Sequence, residues 1–436
     1  MITPVLSGII HASNAKFKTV SKSALFFGLI LLFEASEQLG VLEFRGIEMH
    51  TIKLSRLHSL LFFILTLCSF MVRAEPYAVI QPTPDGGLQP RITVDEQGNI
   101  HLLYFKKRLQ RPAAREGSLY YRQFLPADGS WTTPVKVSSE AFDMQTFSIS
   151  RASLAIDGEG RAHALWYLPR EAKYFYSRSN PERSEFDAQR SMVSDFLEGI
   201  DAGADVAAFG NQVAIVWGAG DLSREEERTV FARLSNDNGA TFGSEWMIGD
   251  PSLGACACCS PASDINSSNQ LTVAYRSAID GVGRHMQLLT VTPEGTGVSE
   301  TSYDRVHMLQ EWELSACPLS TNDFAVSPEQ ESWLVFETEY RIVQMNATAK
   351  TEPSLVAEPF TQTRQKNPSV AFNPNGDRLV VWGEAIGHSK GGRLNLRVFD
   401  FEGNLTDVQV DEEITIPNFS FPAAAGLPDG GFLVLY

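Results

Sequence analysis

The sequence predicts an all-β protein, a seven-bladed β-propeller, on three observations. A strand–turn–strand pattern recurs seven times from residue 90 to the C-terminus, every copy closes on an aromatic, and no stretch between copies shows convincing amphipathic-helix periodicity. A chain of 436 residues has room for two or three domains. A repeat architecture offers one large assembly instead.

The copies read "PRITVDEQGNIHLLYF", "SRASLAIDGEGRAHALWY", "GADVAAFGNQVAIVWG", "SPASDINSSNQLTVAYR", "LSTNDFAVSPEQESWLVFE", "NPSVAFNPNGDRLVVWGE" and "FPAAAGLPDGGFLVLY". Their closing aromatics are Tyr104, Trp166, Trp217, Tyr275, Phe336, Trp382 and Tyr436, separated by 62, 51, 58, 61, 46 and 54 residues. Period-2 alternation on both sides of an Asp/Asn/Gly turn marks a β-hairpin. A looser strand pair follows several copies, as in "SLYYRQFLPADGSWTTPVKVS", "TVFARLSNDNGATFGSEWMIG" and "LNLRVFDFEGNLTDVQV". Four strands per repeat make a propeller blade. One blade cannot bury both faces alone, whereas packing blades around an axis buries them all, and ring closure removes most exposed edges. The seventh hairpin ends at Tyr436 without outer strands, and "PYAVIQP" at 76–82 is expected to complete that blade from the N-terminal side. Six blades, with the terminal hairpin used otherwise, is the alternative.

The first 74 residues stand apart from this pattern. From Met49 the chain has a basic start at Lys53 and Arg56, an apolar run through Leu60–Leu67 and small residues around Val72-Arg73-Ala74. This is the plan of a secretory signal peptide over 49–74. Its apolar core is short for a spanning helix. Residues 1–48 carry a second apolar run at 24–33 and are expected to be an upstream extension ahead of a true start at Met49, an N-terminal anchor being the alternative. A lipoprotein reading through Cys68 is weaker, because Leu67 stands where a small residue is expected. Residues 75–436 then form a single propeller domain, periplasmic or secreted, with no membrane span once the signal is removed.

Residues 1–74 hold 7 of the 36 basic and 4 of the 52 acidic residues, so the remainder carries a charge of −19. Such an acidic domain disfavours nucleic acid or an anionic membrane as partner. An unidentified protein or glycan ligand is the expected partner class.

"SNDNGATF", Ser235 to Phe242, fits the Asp-box pattern S-x-D-x-G-x-x-[FW] and falls between the outer strands of the third blade. On this box and the repeat, the chain resembles the sialidase-like, bacterial-neuraminidase-repeat β-propellers. "PADGSW" and "FDFEGN" are degenerate relatives of the box. The box is structural in that family: Ser235, Asp237 and Gly239 shape a turn and Phe242 packs beneath it. The resemblance further implies a glycoside hydrolase if the protein is an enzyme, with arginines gripping a substrate carboxylate through bidentate forks. Arg91 and Arg151 open the first two inner strands and are the candidate catalytic positions. Later blades hold Ala204, Pro261, Ser320, Pro368 and Pro422 there, so a triad would need loop arginines such as Arg276 or Arg364.

The densest signal is "GACACCSP", 254–261, with Cys256, Cys258 and Cys259 just before the fourth inner strand and Cys317 just before the fifth. Inner strands start side by side around the axis, so these four cysteines are expected at one mouth of the propeller. In an exported protein two structural disulfides are the first reading, and four cysteines allow three pairings. The second is a thiolate site for copper or zinc formed by Cys256, Cys258, Cys259 and Cys317 with His307, and Met308 nearby. The third is a set of redox-active thiols. "CACC" with a later "WELSACP" is also similar to a C-x-C-C subfamily of sialidase-like proteins without assigned activity.

His101 and His163 recur in register, three residues before Tyr104 and Trp166, and read as packing or hydrogen-bonding elements. His285 and His388 lie in loop-like segments without an evident partner. No G-x-S-x-G, H-E-x-x-H or phosphate-binding glycine loop occurs. Acidic turns such as "DEQGN" are explained by hairpin chemistry without calcium. The sequence therefore supports a binding or scaffold propeller working through its cysteine-marked face. A sialidase or other glycan-active enzyme, and a periplasmic copper, zinc or redox protein, are the alternatives.

Overall fold

A computed structural model describes residues 75–436 except 109–115, 144–150, 169, 202, 299–306, 359–362, 385–386, 388–389 and 411–412. The expected extension (1–48), the signal peptide (49–74) and His388 lie outside the described residues.

Seven blades form a ring, as the repeat predicts. The inner strands are Leu88–Val94, Ser153–Ile156, Asp205–Phe209, Ala262–Ile265, Asp323–Val326, Gln365–Phe372 and Ala423–Gly426. Each contacts the next around the axis, and the last contacts the first. Blades 2, 3, 4 and 5 are antiparallel four-stranded sheets, while blade 6 has three strands among the described residues. Blade 7 is the terminal hairpin completed by Ala78–Gln81, which pairs in parallel with Phe432–Leu435. This junction also takes the bond from the Thr83 N–H to the Tyr436 carbonyl, 2.8 Å. No helix among the described residues is long and apolar enough to cross a membrane.

Turn chemistry explains why each inner hairpin reverses where it does. Asp95 Oδ1 accepts the N–H groups of Gln97 and Asn99, while Gly98 sits at φ 81° and donates to the Asp95 carbonyl. The scheme repeats with Asp157 and Gly160, Asn266 and Asn269, Ser327 and Gln330, and Asn373 and Gly376. A short acceptor followed three residues later by a left-handed residue is thus the recurrent local instruction. The closing aromatics then fill the seams between blades: Tyr104, Trp217, Phe336 and Trp382 are all almost wholly buried.

Candidate functional site

Every inner strand starts at the same face, so that face carries the lead-in loops and the loops between second and third strands. At its centre Arg91 of blade 1 pairs across the axis with Asp323 of blade 5. Asp323 also accepts from Ser369 Oγ of blade 6 at 2.7 Å. Asp205 of blade 3 accepts from Ser153 of blade 2 and from Ser263 Oγ of blade 4, the latter at 2.8 Å. Together these bonds cap a channel of about 750 Å³, lined both by apolar residues such as Ile156, Ile265, Phe324 and Val370 and by polar ones such as Asp95, Asp157 and Asn266. Burial opposes the charge of Arg91, but Asp323 and Asp205 outweigh it and hold its pKa above the ordinary value. Arg151 lies over the Phe421 ring, 4.9 Å from its centroid, and burial and then Arg91 lower its pKa to about 10.

The two loop arginines do not join this pair. Arg276 donates to the carbonyls of Arg284 and Glu337 and lies over Trp312, while Arg364 lies over Tyr340. The described residues therefore hold two arginines at the axis, and one of them is engaged by an aspartate.

Off the axis, between blades 4 and 5, the cysteines converge. Arg276, ending the second strand of blade 4, accepts the Cys256 N–H on its carbonyl at 2.9 Å. Buried Arg228 of blade 3 donates to the Ala255 carbonyl at 3.1 Å. Gly254, at φ 63°, starts the loop, and a Cβ there would stand 2.9 Å from the Glu225 carbonyl oxygen and from the Glu226 Cα. Only glycine passes there without displacing backbone. Cys258 is bridged to Cys317, tying the lead-in of blade 4 to that of blade 5. Cys256 and Cys259 are thiols with their sulfurs 3.6 Å apart.

Their surroundings are polar and charged. Glu225, from the 3-10 turn Glu225–Glu227 of blade 3, accepts the Ala257 N–H at 2.8 Å and pairs with Arg284 at 2.6 Å. Leu319 has φ 55°, and the successive N–H groups of Leu319 and Ser320 point at Cys259 Sγ. Such a nest of consecutive amides favours an anion. Lys366 of blade 6 donates to the Pro318 and Leu319 carbonyls and holds the nest in place. The Cys259 thiol is pushed below its usual range by the hydrogen bond from Cys256, assisted by Arg276 and the two amides, while that same hydrogen bond and burial push Cys256 up. Of the two, Cys259 is the one shifted toward the anion. Burial raises the Glu337 carboxyl, against the pull of Lys366 and Arg276.

The metal-competent donor set differs from the one expected. Glu225, Cys256, Cys258 and Cys317 place one donor atom each within 4.8 Å of one another. With Cys258 and Cys317 bridged, two of those sulfurs are unavailable to a metal. The backbone of His307 lies on the outermost strand of blade 4, in register with Leu288, and its side chain lies outside the described residues. Sequence reasoning missed Glu225, Arg284, Lys366 and Glu337; only a run of acidic residues, "EEE" at 225–227, marks any of them locally.

Of the other singled-out residues, Gly239 and Phe242 pack against the neighbouring blade and the rest bond within their own. Ser235 Oγ donates to Asp237 Oδ1 at 2.7 Å, and Asp237 accepts the Thr241 N–H at 2.9 Å. Gly239 at φ 70° presses on blade 2, where an added Cβ would meet the Tyr176 hydroxyl at 2.0 Å, and Phe242 meets the Tyr176 ring edge-on. His163 bonds Tyr176 and Asp157, and His101 bonds Tyr121 and Asp95 in the same way. His285 accepts the Trp312 N–H on Nδ1 at 2.8 Å.

No protein-family profile matches the chain, and no curated protein matches it in sequence. Solved structures are similar to it over much of its length, each at low identity. An α-L-arabinanase of Penicillium chrysogenum, complexed with arabinobiose, is 12% identical, with 74% of this chain and 97% of that one covered and a TM-score of 0.46. An α-L-arabinofuranosidase of Fusarium graminearum is 7% identical over 72% and 93%, TM-score 0.47. A Trypanosoma rangeli sialidase is 10% identical over 71% of this chain and 54% of that one, TM-score 0.43.

Proposed function

We propose that the protein is an exported β-propeller that binds a partner protein through the cysteine-marked face between blades 4 and 5. The observation that carries this is the gathering of all four cysteines of 75–436 into one charged, hydrogen-bonded cluster on a single face. A disulfide joining two blades suits an oxidising compartment. Phe196, Leu197, Leu222 and Val282 are exposed in loops of this same face. A carboxylate-gripping catalytic site at Arg91 and Arg151 has less support, because Asp323 already neutralises Arg91.

Site-specific photo-crosslinking in the native cells tests the reading. A crosslinker at Leu222 or Val282 is expected to trap a discrete partner, and one at Phe401 or Leu405 on the opposite face is not. Equal crosslinking at both faces, or none at either, would refute it.

A second reading, a soft-metal site, is favoured by the Glu225, Cys256, Cys258 and Cys317 donor set and requires the bridge to be reduced. Native mass spectrometry of the reduced protein with one equivalent of Cu(I) or Zn(II) tests it. A bound metal lost in Cys256→Ser supports it, and an unchanged mass sinks it.

A further inference from the structure

The sulfur positions divide the four cysteines into two pairs that the spacing alone does not reveal. Cys256 and Cys259 form a C-x-x-C dithiol, the spacing of thiol–disulfide exchange sites, inside the C-x-C-C run. Cys258 and Cys317 form the bridge, and Cys317 is the more exposed of the four. Cys256 Sγ belongs to both groups: it lies 3.6 Å from Cys259 Sγ and within 4.8 Å of the Cys258 and Cys317 sulfurs. The Glu225 carboxylate lies within the same 4.8 Å of Cys256, Cys258 and Cys317.

We propose that this face is a dithiol–disulfide exchange site in which Cys256 passes the bridge between the outer pair, Cys258/Cys317, and the buried pair, Cys256/Cys259. This rests on the cysteine face being the working face and adds its chemistry: the partner carries a disulfide. In the first step Cys256 gives its proton to Glu225 and attacks Cys317 Sγ. The Cys256–Cys317 bond forms, the Cys258–Cys317 bond breaks, and Cys258 leaves as thiolate and takes the proton from Glu225. In the second step the Cys259 thiolate attacks Cys256 Sγ. The Cys256–Cys259 bond forms and Cys317 leaves as thiolate. One proton and one negative charge are present before and after, and two electrons have moved from the buried pair to the outer pair.

The outer dithiol then reduces the partner. The Cys317 thiolate attacks one partner sulfur and releases the other as thiolate. The Cys258 thiol next loses its proton to that released thiolate and attacks Cys317. The outer bridge is restored and the partner dithiol is released. The Leu319–Ser320 nest and Lys366 serve this sequence by holding Cys259 as the anion that completes the transfer.

Differential alkylation of the full chain tests the relay. The protein is equilibrated in glutathione redox buffer, free thiols are labelled with light iodoacetamide, and bridged thiols are labelled with heavy reagent after reduction. Fragmentation mass spectra then assign each cysteine. Two populations are expected, one with light label on Cys256 and Cys259 and one with light label on Cys258 and Cys317, in a ratio reached from either starting state. Cys256→Ser should hold the bridge at Cys258–Cys317, and Cys259→Ser should accumulate the Cys256–Cys317 intermediate. Glu225→Gln should slow the approach to equilibrium by roughly tenfold or more, as loss of a proton carrier does.

Light label confined to Cys256 and Cys259 in every buffer short of full reduction would overturn the relay. That reading uses the unmodified protein and does not depend on any variant folding. A partner still crosslinked at Leu222 or Val282 in that case leaves the binding face standing without the relay. Loss of the crosslink with exchange intact leaves the chemistry without the partner.

Discussion

Replacing both Cys258 and Cys317 with alanine removes the link between the lead-ins of blades 4 and 5. The bridge joins residues 59 apart in sequence. By the chain-entropy relation a loop of that length costs the unfolded state roughly 14 cal/mol/K, or about 4 kcal/mol at 25 °C. A domain spanning 75–436 gains about 0.76 kcal/mol/K on unfolding, at roughly 2.1 cal/mol/K per residue, so the loss corresponds to about 5 °C in Tm. Scanning calorimetry at pH 7 reads it directly. The variant should melt about 5 °C below the parent in non-reducing buffer, and reductant should lower the parent by a similar amount while leaving the variant unchanged. A variant that melts within about 1 °C of the parent would refute the reasoning, since the bridge would then constrain nothing the unfolded chain explores.

Two further outcomes follow from the buried charges. Asp323→Asn removes the carboxylate paired with Arg91 and weakens the acceptor shared by Ser369 and Val370, so urea unfolding should show a loss of about 3–5 kcal/mol, largely recovered in Arg91→Gln/Asp323→Asn. An unaltered midpoint for the single variant would mean the axial pair is not structural. For Asp95, burial raises the carboxyl, but the bonds from His101 and Asn99 outweigh it and bring its pKa from 3.8 down to about 2. A depressed carboxyl contributes stability that is complete above the unfolded pKa and disappears as pH falls through the folded one. The stability gap between the parent and Asp95→Asn should therefore narrow between about pH 4 and 2, and a gap constant over that window contradicts the assignment.

The propeller was legible in the sequence because its instructions are local. An Asx or Ser acceptor with a left-handed residue three positions on, set between alternating runs, dictates a hairpin wherever it falls, and "DEQGN" and "NPNGD" say so within five residues. The closing aromatics repeat for the same reason, since every seam needs one large side chain. Even the closing strand at 78–81 was visible, as an apolar segment left over beside a blade that lacked a partner.

Charge and sulfur partners are decided elsewhere. Arg91 reads as a candidate carboxylate grip until the ring brings up Asp323 from 232 residues away. Four cysteines admit three pairings, and only the packing of blade 4 against blade 5 selects Cys258 with Cys317 and leaves Cys256 beside Cys259. Glu225, Arg284 and Lys366 reach that cluster from three different blades, each ordinary in its own sequence context. Hairpins are specified by neighbours along the chain. The cysteine face is specified by which loops the closed ring presses together.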